Sequence, residues 1–271
     1  MPTIRSIATR LVLALLLAAT AGLAWGDTKP KRTELTGDAP TAILWVGNSF
    51  FYYNNSLHSH VLSLLRAASP GVQARATSVT ISGSGIDWHD MASYFRADGI
   101  GKYSFVGDNE IVFNKPGRQF DAVIIADCSQ CPIHPQLKAV FHEFAAKQSA
   151  IVSANGARPI FFMTWAYKDK PEMTAELAEQ YTAAGNANDA LVIPAGLAFA
   201  RVVSKRPGLE LYQPDKRHPT LAGTYLAACT TYAAIYGKTP VGNTYIAGLD
   251  PATARFLQET AQETVREYFA H

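Results

Sequence analysis

From residue 41 onward, short apolar runs alternate with longer stretches in which apolar residues recur at helical spacing. The runs at 42–46, 73–81, 122–126, 159–164 and 190–193 predict strands. Four of the five are nearly unbroken, the pattern of strands covered on both faces. Between them, 56–68, 87–95, 136–155, 172–184 and 197–204 predict helices, and 220–236 and 251–268 predict two more that close the chain. Strands alternating with helices specify a parallel sheet with helices on both sides. The expected fold is therefore α/β, a three-layer α/β/α sandwich with a central, mostly parallel five-stranded sheet. The Gly-rich, mixed segment 96–119 fits neither period and predicts a hairpin or an insertion over the sheet edge. No repeat or interior linker interrupts the pattern, so 41–271 reads as one domain.

The first residues follow a different rule. Arg5 and Arg10 precede an apolar run at 11–24 that ends in Ala24-Trp25-Gly26 before polar Asp27-Thr28-Lys29. Positive flank, apolar core and small-residue cleavage pattern predict a secretory signal peptide at 1–26. Its core of about 14 residues falls short of the roughly 20 a helix needs to cross a bilayer. The expectation is cleavage, a polar linker at 27–40, no stable membrane insertion of the mature chain, and a periplasmic or secreted location.

Charge and cysteine content narrow the partners. The chain has 24 Lys and Arg against 22 Asp and Glu; loss of Arg5 and Arg10 with the signal leaves the two signs balanced. With no Lys/Arg cluster, a nucleic-acid surface is excluded on electrostatic grounds. Three cysteines are too few for a disulfide scaffold, but Cys128-Ser-Gln-Cys131 allows one local bridge in an exported protein. Pro132 and Pro135 follow it in a loop-like run, which disfavours a redox motif opening a helix and predicts structural cysteines.

In open parallel sheets ligands bind beyond the carboxyl ends of the strands, so polar residues there carry the candidate chemistry. The first strand runs into Trp45-Val46-Gly47-Asn48-Ser49-Phe50, with a small Gly at the turn and Ser49 exposed beyond it. Far along the chain comes Tyr212-Gln213-Pro214-Asp215-Lys216-Arg217-His218-Pro219-Thr220. With Pro219 opening the following helix, Asp215 and His218 would share the entry turn and face one site. A serine nucleophile needs a base to take its proton and an acid to orient that base, and this pair supplies both.

These segments resemble the SGNH or GDSL hydrolases. That superfamily carries a nucleophilic Ser in Gly-Asp-Ser after the first strand, a Gly after the second, Gly-x-Asn-Asp after the third and Asp-x-x-His near the C-terminus. The resemblance spans about 43–236 and is strongest at Gly47-Asn48-Ser49 and at Asp215 to His218. It implies that Ser49 is the nucleophile, His218 the base and Asp215 its orienting acid. After the second strand, Ser82-Gly83-Ser84-Gly85 offers Gly85 as the matching backbone donor, with Gly83 the alternative. The third block departs: Asp127-Cys128-Ser129-Gln130 puts Cys128 at the family's Gly and Gln130 at its Asn, leaving an amide on a longer stem. Asn48 and Phe50 replace the family's Asp and Leu. The implied oxyanion hole is Ser49, Gly85 and Gln130, and the implied reaction is hydrolysis of a carboxylic ester, an acetylated carbohydrate or small acyl ester, through an acyl-enzyme and without a cofactor.

Competing readings are bounded by particular residues. An α/β-hydrolase elbow needs Gly two positions after the nucleophile, where this chain has Phe51. A metal site could draw on His58, His60, His89, His134 and His142, but His58 and His60 are two apart on a predicted helix and point in different directions. The altered third block leaves one alternative, a catalytically silent protein of the same fold that binds carbohydrate or acts as a scaffold.

Overall fold

The computed structural model describes residues 28–270 apart from positions 98, 108, 115 and 116; the predicted signal peptide lies outside the described residues. Strands β1 (Ala42–Gly47), β2 (Arg75–Thr80), β5 (Ala122–Ile125), β6 (Arg158–Phe162) and β7 (Leu191–Ile193) form one sheet in the order β2-β1-β5-β6-β7. Every pairing in it is parallel. The segment between β2 and β5 carries β3 (Tyr103–Gly107) and β4 (Glu110–Phe113), an antiparallel hairpin of its own.

Side chains alternate between the two faces of a strand, and here each face enters a separate core. Ile43, Trp45, Ile124, Ile160, Phe162 and Ile193 pack with the helices α2 (Leu57–Ala68), α6 (Ala195–Lys205), α7 (Leu221–Tyr236) and α8 (Pro251–Phe269). Leu44, Val46, Val123, Ile125, Phe161 and Val192 pack instead with α4 (Lys138–Ala154) and α5 (Met173–Ala187). This is the three-layer sandwich. Helix α7 is buried from Ala222 to Ile235 because α2, α6 and α8 all lie against it, which explains why it is apolar around its whole circumference. No helix among the described residues is long and apolar enough to cross a membrane.

Two departures from the predicted elements have local causes. The single helix predicted at 87–95 is a 3-10 turn (Ile86–Trp88) followed by a short helix α3 (Met91–Tyr94). His89 turns inward between them, and Asp90 caps the second piece by accepting from the Ser93 N–H at 3.3 Å. The hairpin at 96–119 is real but projects: Tyr103 pairs with Phe113 and Phe105 with Ile111 on one face, and all four side chains are exposed.

The segment predicted as a polar linker has no helix or strand, yet it is tied down. Arg158 donates to the carbonyl oxygens of Thr36 and, at 2.9 Å, Asp38. Asn186 on α5 accepts from the Lys31 N–H and donates to the Lys29 carbonyl.

Candidate active site

Ser49 follows β1 and opens the four-residue helix α1 (Ser49–Tyr52). Asn48 caps it, accepting from the Phe50 N–H at 3.2 Å. Gly47 adopts no left-handed backbone; it is small because a Cβ there would meet the Phe51 ring at 3.0 Å and Ala126 at 3.2 Å. The nucleophile candidate is thus set at the carboxyl edge of the sheet by close packing of the turn onto the neighbouring strand.

The opposite half of the site is the turn before α7. Gln213 N–H donates to the His218 carbonyl at 2.7 Å, Lys216 N–H to the Gln213 carbonyl at 2.9 Å, and Tyr212 bridges to Pro219. Lys216 has a left-handed φ of 65°, which lets so short a loop close. Thr220 caps α7, so Pro219 stands two residues before its first turn rather than within it. The Trp165 indole N–H donates to the Arg217 carbonyl at 2.9 Å. That ring is stacked between Phe50, with centroids 4.4 Å apart, and Phe199, at 4.1 Å.

The two halves meet. His218 Nε2 lies 2.8 Å from Ser49 Oγ, and His218 Nδ1 bonds Asp215 Oδ2. The other oxygen, Asp215 Oδ1, accepts from the N–H groups of Arg217 and His218, each at 2.9 Å. Partial burial alone would raise the Asp215 carboxyl, but the bonds from the His218 ring and the two N–H groups outweigh it and hold it at about 2. It stays an acceptor, which fixes the imidazole with Nδ1 protonated and Nε2 free to accept.

Gly85 and Ser49 each present a backbone N–H with no partner among the described residues, as the start of a helix leaves its first donors free. Gln130 is exposed, and its side-chain amide makes no bond among the described residues. Its carbonyl accepts from Ile133 in the 3-10 turn Cys131–Ile133. Nothing in the contacts links that amide to Ser49.

Other residues position these loops. The Asn48 amide donates to the carbonyls of Ser84 at 3.0 Å and Asp127 at 3.1 Å. Asp127 is buried, and its Oδ1 accepts from the N–H groups of Ile86 and Cys128, both at 2.7 Å. Burial pushes its carboxyl up to about 6, with those two bonds pulling the other way. Ser84 Oγ donates to the Gly47 carbonyl at 3.2 Å and bonds His89 Nε2 at 3.1 Å. Burial lowers the pKa of the His89 imidazole, which favours its neutral form. Periodicity could not reveal these roles, since most are bonds between segments 36 to 79 residues apart. Asn48 alone left a signal, as the residue that departs from the family's Asp.

The local bridge that the Cys-Ser-Gln-Cys spacing allows is formed, Cys128 to Cys131. Among the described residues the gathering of metal-ligand types is Asp127 with these two cysteines, whose sulfurs bind each other. His58 lies beside Trp45, while His60 bonds the Asn54 carbonyl and Tyr245.

No protein-family model and no curated protein matches the chain. Solved structures do. A protein described as an SGNH hydrolase from Slackia heliotrinireducens is 21% identical, covering 72% of this chain and 98% of its own, with a TM-score of 0.53. A catalytic mutant of an acetylxylan esterase from Geobacillus stearothermophilus is 14% identical over 74% of this chain and 96% of its own, TM-score 0.52. A protein described as a GDSL-like lipase from Parabacteroides merdae is 13% identical over 76% of this chain and all 100% of its own, TM-score 0.56. The fold is that of the SGNH hydrolases. At these identities the likeness speaks for architecture, and the chemistry has to be argued from the site.

Proposed function

We propose that the protein is an exported serine esterase that hydrolyses a carboxylic ester, an acetylated carbohydrate or a small acyl ester. The observation that carries the reading is the continuous chain from Asp215 through His218 to Ser49, with 2.8 Å between His218 Nε2 and Ser49 Oγ. Three residues of these types in hydrogen-bond sequence at a strand's carboxyl edge are what nucleophilic acyl transfer requires. The resemblance to an acetylxylan esterase and to a GDSL-like lipase in fold is consistent with it.

In this mechanism Ser49 Oγ attacks the ester carbonyl carbon as His218 Nε2 takes its proton. The oxyanion is received by the N–H groups of Ser49 and Gly85; each such donor typically contributes about 3 kcal/mol. His218 returns the proton to the departing alcohol. Water, deprotonated by the same imidazole, then splits the acyl-serine and frees the acid. Asp215 keeps the ring in the required tautomer throughout.

The test is hydrolysis of short p-nitrophenyl esters by wild type and Ser49→Ala, with phosphonate labelling located by mass spectrometry. Turnover and labelling at Ser49, both lost in the folded variant, are expected. A folded wild type that neither turns over nor labels would move the silent binding-protein reading ahead.

A further inference from the structure

We propose that Tyr53 is a positioning residue for His218, laid flat on the imidazole by a strained turn that Asn54 clamps to the residue after the base. The inference rests on the triad reading above and adds to it a device for stabilising the charged form of the base.

The Tyr53 ring and the His218 imidazole are stacked with centroids 4.3 Å apart and planes 7° from parallel, while the Phe50 ring meets the imidazole edge-on at 5.9 Å. An aromatic face attracts a cation held within about 6 Å of its centroid. The neutral imidazole gains less from that face than the imidazolium does. The stack therefore favours the state created when Ser49 gives up its proton, from the face that Asp215, at the ring's edge, does not occupy. Of the charged groups on the same turn, Asp215 bonds the ring, Lys216 pairs with Asp169, and the Arg217 guanidinium lies over Tyr167 at 4.7 Å. On the Tyr53 side the neighbours Tyr52 and Phe50 bring no charge.

Tyr53 is held there at a cost. The chain turns directly after it through Asn54, Asn55 and Ser56, whose φ values of 52°, 66° and 68° are all left-handed. Three such non-glycine residues in a row are sparsely tolerated and persist only where their surroundings over-determine them. Here they do. Ser56 N–H closes the turn on the Tyr53 carbonyl at 3.1 Å. The Asn54 amide donates to the Pro219 carbonyl at 2.9 Å and to Thr224 Oγ1 at 2.8 Å. The Asn54 carbonyl bonds His60 Nε2 at 2.7 Å, and His60 Nδ1 bonds the Tyr245 hydroxyl at 2.8 Å. Pro219 is the neighbour of His218, so one side-chain amide joins the turn that carries the aromatic face to the turn that carries the base.

The experiment separates geometry from chemistry. In the NMR spectrum of the full chain, the ring current of Tyr53 should shift the His218 ring protons upfield. The shift should persist in Tyr53→Phe, vanish in Tyr53→Leu, and weaken in Asn54→Gly, which accepts the left-handed φ but lacks the amide. In ester hydrolysis, Tyr53→Phe should stay within about twofold of wild type, and Tyr53→Leu should lose about two- to fivefold in kcat with little change in KM. Without the stack the charged imidazole is less favoured, so the acid limb of kcat/KM should move to lower pH by about half a unit in Tyr53→Leu. His218 ring signals unchanged in Tyr53→Leu would overturn the stack. A shift that vanishes while the whole loss falls on KM and the limb stays put would overturn the positioning role and make Tyr53 a cleft wall. If wild type itself hydrolyses no ester, the esterase reading and the role in proton transfer fall together, while the ring-proton signals still decide the clamp.

Discussion

The side-chain amide of Asn48 donates at 3.1 Å to the carbonyl oxygen of Asp127, so the residue before Ser49 holds the loop after the neighbouring strand β5. Its second N–H goes to the Ser84 carbonyl at 3.0 Å, one residue from Gly85. The turn bearing Ser49 and the loops after β2 and β5 are thereby pinned by one buried group.

Restoring the family's acid at that position should accordingly harm the protein. In Asn48→Asp a carboxylate would face two carbonyl oxygens with nothing to donate. Leaving such buried acceptors unsatisfied costs about 2 kcal/mol or more, which for a chain of this size lowers Tm by roughly 4–8 °C. Calorimetry measures the drop, and ester hydrolysis should fall with it because the loop bearing Gly85 loses its tie. An unchanged Tm would mean the amide is not what joins these loops.

Asp215→Asn should leave the fold intact and disable the base. The backbone N–H groups of Arg217 and His218 occupy one acceptor oxygen, so the new amide oxygen would keep those bonds and its NH₂ would face His218 Nδ1. That forces the proton onto Nε2, where it opposes Ser49. Wrong-tautomer substitutions of this kind lower kcat by about 10³- to 10⁴-fold. A loss below tenfold, with unaltered circular dichroism, would show that Asp215 does not orient the ring.

Asp127 predicts how stability depends on pH. Its carboxyl is raised to about 6 by burial, above the unfolded-state value of about 3.9. Between those values the native state holds a proton the unfolded chain has released, so this contribution is present at about pH 4 and is lost as the pH rises through about 6. The loss is roughly 3 kcal/mol. Asp127→Asn cannot titrate, so its stability relative to wild type should improve by about that amount between pH 4 and 7 in urea titrations. A constant difference across that range would place the Asp127 titration elsewhere.

What could be read from the sequence depended on range. The five strands were legible because runs such as Ala122–Ile125 are apolar at every position, a pattern that burial on both faces imposes directly. Gly47-Asn48-Ser49 and Asp215 to His218 stood out because each pairs a strand end or helix entry with reactive side chains, and the fold brings them within 2.8 Å. The predicted helix at 87–95 broke because His89 bonds Ser84 and Asp90 caps a new turn. Those choices depend on individual side-chain bonds that a helical period does not encode. Tyr53 carries no signal of its own in the sequence; its left-handed turn is held in part by bonds from Asn54 to Pro219 and Thr224, more than 160 residues away. Gln130 matches the motif's Asn by register alone, and the observed loop leaves its amide exposed and unbonded among the described residues.

The bonds from Arg158 to the carbonyls of Thr36 and Asp38 bear on where this protein can be cut. The stretch before β1 looks dispensable by composition, yet a version begun at Thr41 would strip a guanidinium of two acceptors and α5 of its partners at Lys29 and Lys31. Ser49 lies at the other end of the sheet, so the damage would surface first in yield and shelf life, and a chain started at Thr28 is the safer one to produce.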